Sequence, residues 1–245
     1  MCRMIFAVGD INVKELIDDF ITLAADQNEK HEKNIDKVFK HGDGWGIAYL
    51  ENCKLKIFKS IKPVYEDPQI ERFRDLETHF LILHARKASK GRVVLENVHP
   101  FELKMNGQRY LFFHNGTIKD KLVYDKKFIP NGTTDSEKYF YYLLTNSNGN
   151  LNEFFLKSRL EKVGNYTGAN FILSNGAITY LTNWYSENPK YYTLKVLRKP
   201  GSIVVASEIL PHYREKSWQS LENRDIISVN TADLKFRRLE NKYVD

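Results

Sequence analysis

The chain begins Met1-Cys2-Arg3, and Cys2 is the residue whose position and side chain most directly suggest chemistry. An initiator methionine is normally removed when the next residue is as small as cysteine, so we expect the mature chain to begin at Cys2. A thiol attacks as its thiolate, and a free α-amine with a pKa of about 7.7–8.0 is partly neutral at about pH 7.5. The amine can then take the thiol's proton, directly or through one water, and no histidine partner is required. The alternative is that Cys2 is simply a small apolar residue entering a strand.

A second position of interest is Arg86, which ends the apolar segment Phe80 to Arg86. The segment predicts a strand buried on both faces. A buried strand that ends in arginine is suited to binding an anion, because a buried charge needs a partner of opposite charge. The alternative is an arginine at a sheet edge whose charged end reaches the solvent.

The dipeptide Asn115-Gly116 follows another apolar segment, which starts at Arg109. A side-chain amide beside a glycine N–H can supply two neutral donors to one oxygen, as an oxyanion hole requires. The alternative is an ordinary Asn-Gly turn, which we predict at Asn106-Gly107, at Asn131-Gly132 and at Asn175-Gly176.

Asp135 lies where a helix is expected to begin. Thr134 and Glu137 have the spacing of a capping box, which places Asp135 in the first helical turn. The helix dipole favours an acidic residue there whether or not that residue also binds a ligand. The position therefore allows a binding role without requiring one.

The segments between these residues predict the elements that must hold them. Met4 to Val8 predicts a short buried strand, and Asn12 with Glu15 predicts the start of a helix that runs through the twenties. Asp67-Pro68 predicts a helix reaching Leu76, and Leu151 to Val163 predicts another. Further strands are expected at residues 169–173, 178–181, 192–197, 203–206 and 226–229.

Glycines occupy alternate positions in Gly42-Asp-Gly-Trp-Gly46, just before an apolar strand. The segment lacks the Lys-Ser/Thr ending of a phosphate-binding loop, and Ile47 stands where a dinucleotide-binding pattern needs its third glycine. Alternate glycines instead indicate that another backbone or a ligand approaches closely.

Composition limits the class of protein. The 245 residues carry a formal net charge of +6, and the basic residues are scattered, so we expect no nucleic-acid footprint. Cysteine occurs only at positions 2 and 53, which favours a reducing compartment, and no apolar run is long enough for a signal peptide or a membrane span. We therefore expect a cytoplasmic protein with a single domain over residues 1–245.

In order and rough spacing, Cys2, His84-Ala-Arg86, Asn97-Val-His-Pro100, His114-Asn-Gly116 and Thr134-Asp135 resemble the class II glutamine amidotransferases. These belong to the N-terminal nucleophile hydrolases. Asp43-Gly-Trp-Gly46 makes the likeness greatest to stand-alone members of the family. The resemblance covers roughly residues 2 to 210, and Ser207-Glu208 and Trp218 also look typical of the family. It implies an α+β fold, a four-layer αββα sandwich with two antiparallel sheets between helical layers.

The resemblance also implies a role for each of the residues above. Cys2 is the nucleophile, and Asn115 with the Gly116 N–H forms the oxyanion hole. Arg86 binds the α-carboxylate of glutamine and Asp135 binds its α-ammonium group. His99 and His114 are assigned to the substrate site. The implied scheme is a glutamyl thioester that releases ammonia or an amine, with no metal or organic cofactor.

Two residues depart from the pattern of family members fused to synthases. Arg3 replaces a glycine after the nucleophile, and Lys87 replaces an aromatic residue beside the arginine. These changes leave the leaving group open: either ammonia passes to a separate partner protein, or the enzyme cleaves γ-glutamyl amides of larger amines. Two other functions also stay open, an N-terminal cysteine hydrolase for a different amide and a mildly basic nucleic-acid binding module.

Overall fold

The computed structural model of the chain describes residues 2–89 and 91–239. The helices of this part are α1 (Val13–Ala24), α2 (Asp135–Leu144), α3 (Glu153–Leu160) and the short α4 (Pro189–Tyr192). The strands are β1 (Cys2–Gly9), β2 (Trp45–Glu51), β3 (Lys54–Ser60), β4 (Phe80–Arg86), β5 (Phe101–Met105), β6 (Gln108–Ile118), β7 (Tyr166–Ser174), β8 (Ile178–Asn183), β9 (Lys195–Lys199), β10 (Ser202–Ala206), β11 (Gln219–Ser220), β12 (Asp225–Asn230) and β13 (Phe236–Leu239).

The strands form two antiparallel sheets. The first has the order β11-β9-β10-β1-β4-β2-β3, and the second has the order β13-β12-β8-β7-β6-β5. Helix α1 packs on the outer face of the first sheet, whereas α2 and α3 pack on the outer face of the second. The inner faces of the sheets share a third apolar cluster. The expected αββα sandwich is therefore confirmed.

Strand β1 shows how alternation assigns side chains to layers. Met4, Phe6 and Val8 belong to the cluster between the sheets, whereas Ile5 and Ala7 pack against the α1 layer. Because successive side chains in a strand point to opposite faces, Cys2 shares the inner face with Met4, and Arg3 lies on the outer face.

Several local predictions are confirmed in detail. The Asn12 side chain accepts a hydrogen bond from the Glu15 N–H and so caps α1. Strand β4 has the predicted bounds. Asn106 and Gly107 both have positive φ, 51° and 75°. Two successive residues of positive φ are typical of the tight turn that joins two antiparallel strands.

Other boundaries differ from the sequence prediction. The helix after Asp67 is a 3₁₀ helix, Pro68–Phe73, that ends before Leu76. Helix α3 starts only at Glu153, because the Asn152 side chain caps it by accepting from the Phe155 N–H. The expected strand at 192–197 begins at Lys195, because Pro189 starts the short helix α4, which ends at Tyr192.

Candidate functional site

Cys2 lies at the start of β1, the middle strand of the first sheet, and pairs with Arg86 of β4. Its side chain is buried. Its backbone N–H donates to the Asn115 Oδ1 at 2.7 Å, and its carbonyl oxygen accepts from the Tyr191 hydroxyl at 3.1 Å. Both sides of the Cys2 backbone are therefore fixed by hydrogen bonds.

Asn115 and Gly116 lie within strand β6 of the second sheet, where they pair with Asn170 and Ala169 of β7. They do not form the Asn-Gly turn that was the alternative. The Asn115 side chain is fully buried, and its Nδ2 has no hydrogen-bond partner. Because its Oδ1 accepts from the Cys2 N–H, this orientation of the amide leaves the two Nδ2 protons available as donors.

Position 116 must be glycine because strand β6 packs closely against strand β7 there. A Cβ at this position would overlap the backbone of Gly168 on strand β7. A side chain here would therefore push the two strands apart at the point where Asn115 reaches the cysteine.

A narrow cavity of about 280 Å³ including its mouth brings together the predicted residues other than Asn115, which reaches the site through its hydrogen bond with the Cys2 N–H. It is lined by Cys2, Arg86, Lys87, Ala88, Ser89, His99, His114, Gly116, Thr134, Asp135 and Ser136. Larger depressions, of about 900 Å³ beside Lys59 and about 940 Å³ beside Asn12, contain no cysteine. We therefore place the candidate active site in the smaller cavity.

The two charged residues expected to hold the substrate ends both line this cavity. The Arg86 Nη1 donates to the carbonyl oxygen of Asp43 at 3.3 Å, so the guanidinium group is steadied by the loop before β2. Asp135 is the first residue of α2, and its Oδ2 accepts from the Ile118 N–H at 2.7 Å. The Thr134 hydroxyl caps α2 as predicted, by accepting from the Glu137 N–H at 3.3 Å, but the Glu137 carboxylate does not return the second bond of the capping box. That carboxylate instead accepts from the N–H groups of Asn131 and Gly132.

His99 and His114 are both buried at the cavity. The His114 Nε2 donates to the Gly168 carbonyl oxygen at 3.2 Å, so its Nδ1 accepts from the Ser136 hydroxyl at 2.8 Å. This follows because a neutral imidazole has one donor nitrogen and one acceptor nitrogen. Both ring nitrogens of His99 lack a hydrogen-bond partner. Burial lowers the pKa of His114 to about 4 and holds the pKa of His99 well below its usual range, so both rings are neutral near pH 7.

The thiol of Cys2 is electrostatically activated. Burial opposes its ionisation, but the electrostatic effects of the neighbouring His84 and of the chain's amino terminus, with a hydrogen bond from the Lys87 N–H, lower its pKa to about 6. A thiolate is therefore the main form of this side chain at neutral pH.

Behind Cys2, on the outer face of the sheet, lies a buried polar network that the sequence did not predict. The Arg3 Nη2 pairs with the Glu208 Oε1 at 2.7 Å, and the guanidinium carbon lies 4.2 Å from the centre of the Tyr191 ring. The Ser207 hydroxyl accepts from the Met4 N–H at 2.9 Å. This network fixes the first residues of β1. Arg3 is the sequence feature that could have predicted this network. Strand alternation buries its side chain, and a buried charge needs a partner.

The glycine-rich segment before β2 packs against the residues that follow β4. Asp43 accepts from the Ala88 N–H through its Oδ2 at 2.8 Å, and the Arg86 N–H donates to the Gly44 carbonyl oxygen at 2.8 Å. A Cβ on Gly46 would overlap the His99 carbonyl oxygen. The interpretation of the alternate glycines as a site of close backbone approach is therefore confirmed.

Comparison with known proteins agrees with this geometry. Residues 27–201 match the family of class II glutamine amidotransferases, and the chain belongs to that family of enzymes. It is 36% identical over 107 residues to the glutamine amidotransferase candidate YafJ of Escherichia coli (strain K12), covering 42% of each chain. It is 33% identical over 215 residues to another such candidate from Haemophilus influenzae, covering 75% of this chain and 71% of that protein.

The fold is shared with a solved enzyme. The glutamine phosphoribosylpyrophosphate amidotransferase of B. subtilis superposes with a TM-score of 0.64 at 16% identity, over 98% of this chain and 50% of that one. The chain therefore spans about half the length of that enzyme, and 42% of YafJ aligns with it.

Within residues 2–89 and 91–239, no three His, Cys, Asp or Glu side chains are grouped so as to hold a metal ion. In the same part of the chain, no helix has the length and apolar composition needed to cross a bilayer.

Proposed function

We propose that this chain is a cysteine-dependent amidase that hydrolyses the side-chain amide of glutamine, or a γ-glutamyl amide, through a glutamyl thioester on Cys2. The observation that carries the proposal is the meeting of Cys2 and Asn115 from different sheets. The amide of Asn115 holds the Cys2 nitrogen through Oδ1 and leaves Nδ2 buried without a partner. A buried unpaired donor is costly unless a ligand or an intermediate uses it.

Substrate orientation follows from the charges that line the cavity. Arg86 binds the α-carboxylate of the glutamyl group and Asp135 binds its α-ammonium group, so the side-chain amide extends toward the thiol. Holding both ends makes the attack effectively unimolecular, which removes much of its entropic barrier.

The reaction then has two halves. The Cys2 sulfur attacks the amide carbon, and the resulting oxyanion is stabilised by the Asn115 Nδ2 and the Gly116 N–H. The intermediate collapses to the thioester as the leaving nitrogen takes a proton from the Cys2 α-amine. Water then hydrolyses the thioester and releases the glutamyl product and the free thiol.

The leaving group that we favour is an amine larger than ammonia. Lys87 lines the cavity, and its ammonium group lies 4.5 Å from the centre of the Phe39 ring and donates to the Lys40 carbonyl oxygen at 3.0 Å. Lys87, which lines the cavity, offers a polar end and an apolar stem to a leaving amine. A separate ammonia-accepting partner protein is the other outcome that we leave to experiment.

Mass spectrometry of the intact protein tests the proposal. A glutamine-like electrophile, such as a diazoketone analogue of glutamine, should add one equivalent to a chain that starts at Cys2. Cys53 is exposed and provides a matched control, so Cys53→Ser should label fully whereas Cys2→Ala should not label. Labelling that depends on Cys53 instead of Cys2 would remove the basis of the proposed function.

A further inference from the structure

His84 is a buried side chain to which the proposed mechanism gives no role. It lies two residues before Arg86 on β4 and pairs with Met4 of β1. Phe80 and Ile82 of the same strand face the cluster between the sheets, so alternation places His84 on the inner face. Cys2 and His84 are therefore diagonal neighbours on one face of adjacent strands, a distance that a long side chain can span.

The hydrogen bonds of His84 define which ring nitrogen is available. Its Nε2 lies 3.1 Å from the carbonyl oxygen of His114. A carbonyl oxygen can only accept, so Nε2 carries a proton and, in the neutral ring, Nδ1 carries the lone pair. Nδ1 is buried and has no hydrogen-bond partner of ordinary geometry. An unprotonated buried nitrogen thus lies beside an acidic thiol.

The other titratable groups around His84 do not compete for this proton. The His99 ring is 4.0 Å away between centroids, and His114 contributes its carbonyl oxygen from β6. Burial keeps both of these imidazoles neutral at pH 7, so neither repels a positive charge on His84. Arg86, two residues along β4 on the same face, carries a positive charge that opposes one on His84. Asp135 is the carboxylate at this end of the cavity, and its charge opposes the effect of burial on His114 without overcoming it.

We propose that Nδ1 of His84 takes the proton of the Cys2 thiol, so that the resting enzyme holds a thiolate–imidazolium pair. This inference rests on the proposed function, because it requires Cys2 to be the nucleophile. In this step the S–H bond breaks, an N–H bond forms on His84, and no electrons are exchanged with another molecule. The lowered pKa of Cys2 agrees with the pairing, since the charge of His84 is the largest contribution that lowers it.

Two proton transfers are then carried by different groups. His84 accepts the proton of the thiol, and the α-amine gives a proton to the leaving nitrogen. With the thiol's proton on His84, the amine begins each cycle as an ammonium group and gives its proton to the leaving nitrogen. In the second half the neutral amine takes a proton from water as the hydroxyl group adds to the thioester. The sulfur then leaves as a thiolate beside the imidazolium, and the ammonium group is restored.

The test is a thiolate titration that does not depend on turnover. A thiolate absorbs at about 240 nm. The difference in this absorbance between Cys53→Ser and the Cys2→Ala, Cys53→Ser double variant therefore reports the ionisation of Cys2 alone. His84→Gln should raise its midpoint from about 6 to about 8.5 or higher, because glutamine can still donate to the His114 carbonyl oxygen but cannot carry the charge. Alkylation of Cys2 by iodoacetamide at neutral pH should then slow roughly 30-fold. His79→Gln, an exposed site, is the matched control and should leave the midpoint unchanged.

An unchanged midpoint in folded His84→Gln overturns the inference. If that variant does not fold, nitrogen NMR of the otherwise intact chain decides the question: Nδ1 of His84 should be protonated at neutral pH and become unprotonated in Cys2→Ala. The inference is also overturned if Nδ1 of His84 has the same protonation state in the intact chain and in Cys2→Ala. The proposed function fails separately, if Cys2→Ala still turns over substrate.

Discussion

The Asn115 side chain performs two tasks with one amide group. Its oxygen accepts from the Cys2 N–H at 2.7 Å, and its nitrogen is a buried donor without a partner. The orientation of the amide is therefore set by the nucleophile's own backbone. Because both partners are buried, this arrangement is preorganised and needs no rearrangement during the reaction.

Removing the nucleophile tests the mechanism most directly. We expect Met1 to be absent from the active protein, and we expect Cys2→Ala to abolish amidase activity while the fold persists, since only the sulfur is lost. Cys2→Ser should be nearly inactive, because a hydroxyl group has a much higher pKa. Intact mass and a glutamate-release assay check both points. Full activity in a form shown by mass to retain Met1 would exclude the α-amine as a proton carrier.

Truncating Asn115 should affect the rate more than binding. We expect Asn115→Ala to lower kcat on the order of 10²–10³-fold with little change in substrate affinity, because the donor matters most once charge has developed on the oxygen. Asn115→Asp is the matched variant, since it keeps an acceptor for the Cys2 nitrogen but loses the donor. Steady-state kinetics distinguish the two tasks: a normal kcat in Asn115→Asp would show that only the acceptor matters.

The charged ends of the substrate give a different kinetic signature. Arg86→Ala and Asp135→Ala should each raise KM strongly, because each change leaves one charged end of the glutamyl group unpaired. Arg72→Ala and Asp75→Ala, at exposed positions, serve as controls for the loss of one charge. If the Arg86 and Asp135 variants kept a normal KM for glutamine, the proposed orientation of the substrate would be wrong.

At the scale of elements, the position of each strand is set by close backbone contacts as well as by pairing. Gly46 of β2 lies against the His99 carbonyl oxygen, and Gly116 of β6 lies against the backbone of Gly168. Arg3, Tyr191 and Glu208 hold β1 from the outer side of its sheet. The cavity is thus bounded by elements that cannot move independently.

A methyl group at position 46 tests this coupling. Gly46→Ala should destabilise the protein by about 1–3 kcal/mol, because the added Cβ overlaps backbone that cannot swing aside. It should also lower activity, since it displaces His99 from the cavity. Gly164→Ala is the control, because its Cβ would meet only Asp120 Oδ2 at 3.6 Å. Thermal unfolding checks the pair, and equal melting temperatures would contradict the close-contact interpretation.

At the scale of the molecule, the described strands after Asp135 complete both sheets of the sandwich. Strands β9, β10 and β11 belong to the first sheet, whereas β7, β8, β12 and β13 belong to the second. We therefore propose that residues 1–245 act as one glutamine amidotransferase domain and that the isolated chain does not aminate an acceptor.

A substrate panel decides between the two fates of the leaving group. The purified chain should show a marked kcat/KM preference for γ-glutamyl amides of bulky amines over glutamine, because Lys87 lines the cavity and its ammonium group is held over the ring of Phe39. Activity on glutamine alone, slow and then faster with an added partner protein, would favour the ammonia-transfer alternative. Amination of an acceptor by the isolated chain would contradict both outcomes.

The sequence by itself determined much of the local structure. Asn12 caps α1, the apolar segment 80–86 forms β4, and Asn106-Gly107 turns between strands, because each of these features depends on residues only a few positions apart. The ordered motifs also identified the family and named residues that lie around one cavity.

Only the tertiary structure decided how distant residues meet. Asn115-Gly116 carries the local signal of a turn, yet it lies inside β6, because pairing with β7 overrides the preference of the dipeptide. Cys2 reaches Asn115 across 113 residues, and Arg3 reaches Glu208 through the packing of β1 beside β10. Hydrogen bonds, charges and buried contacts of this kind depend on the register of strands far apart in the chain. Local propensity does not encode that register, which follows from the global packing of the two sheets.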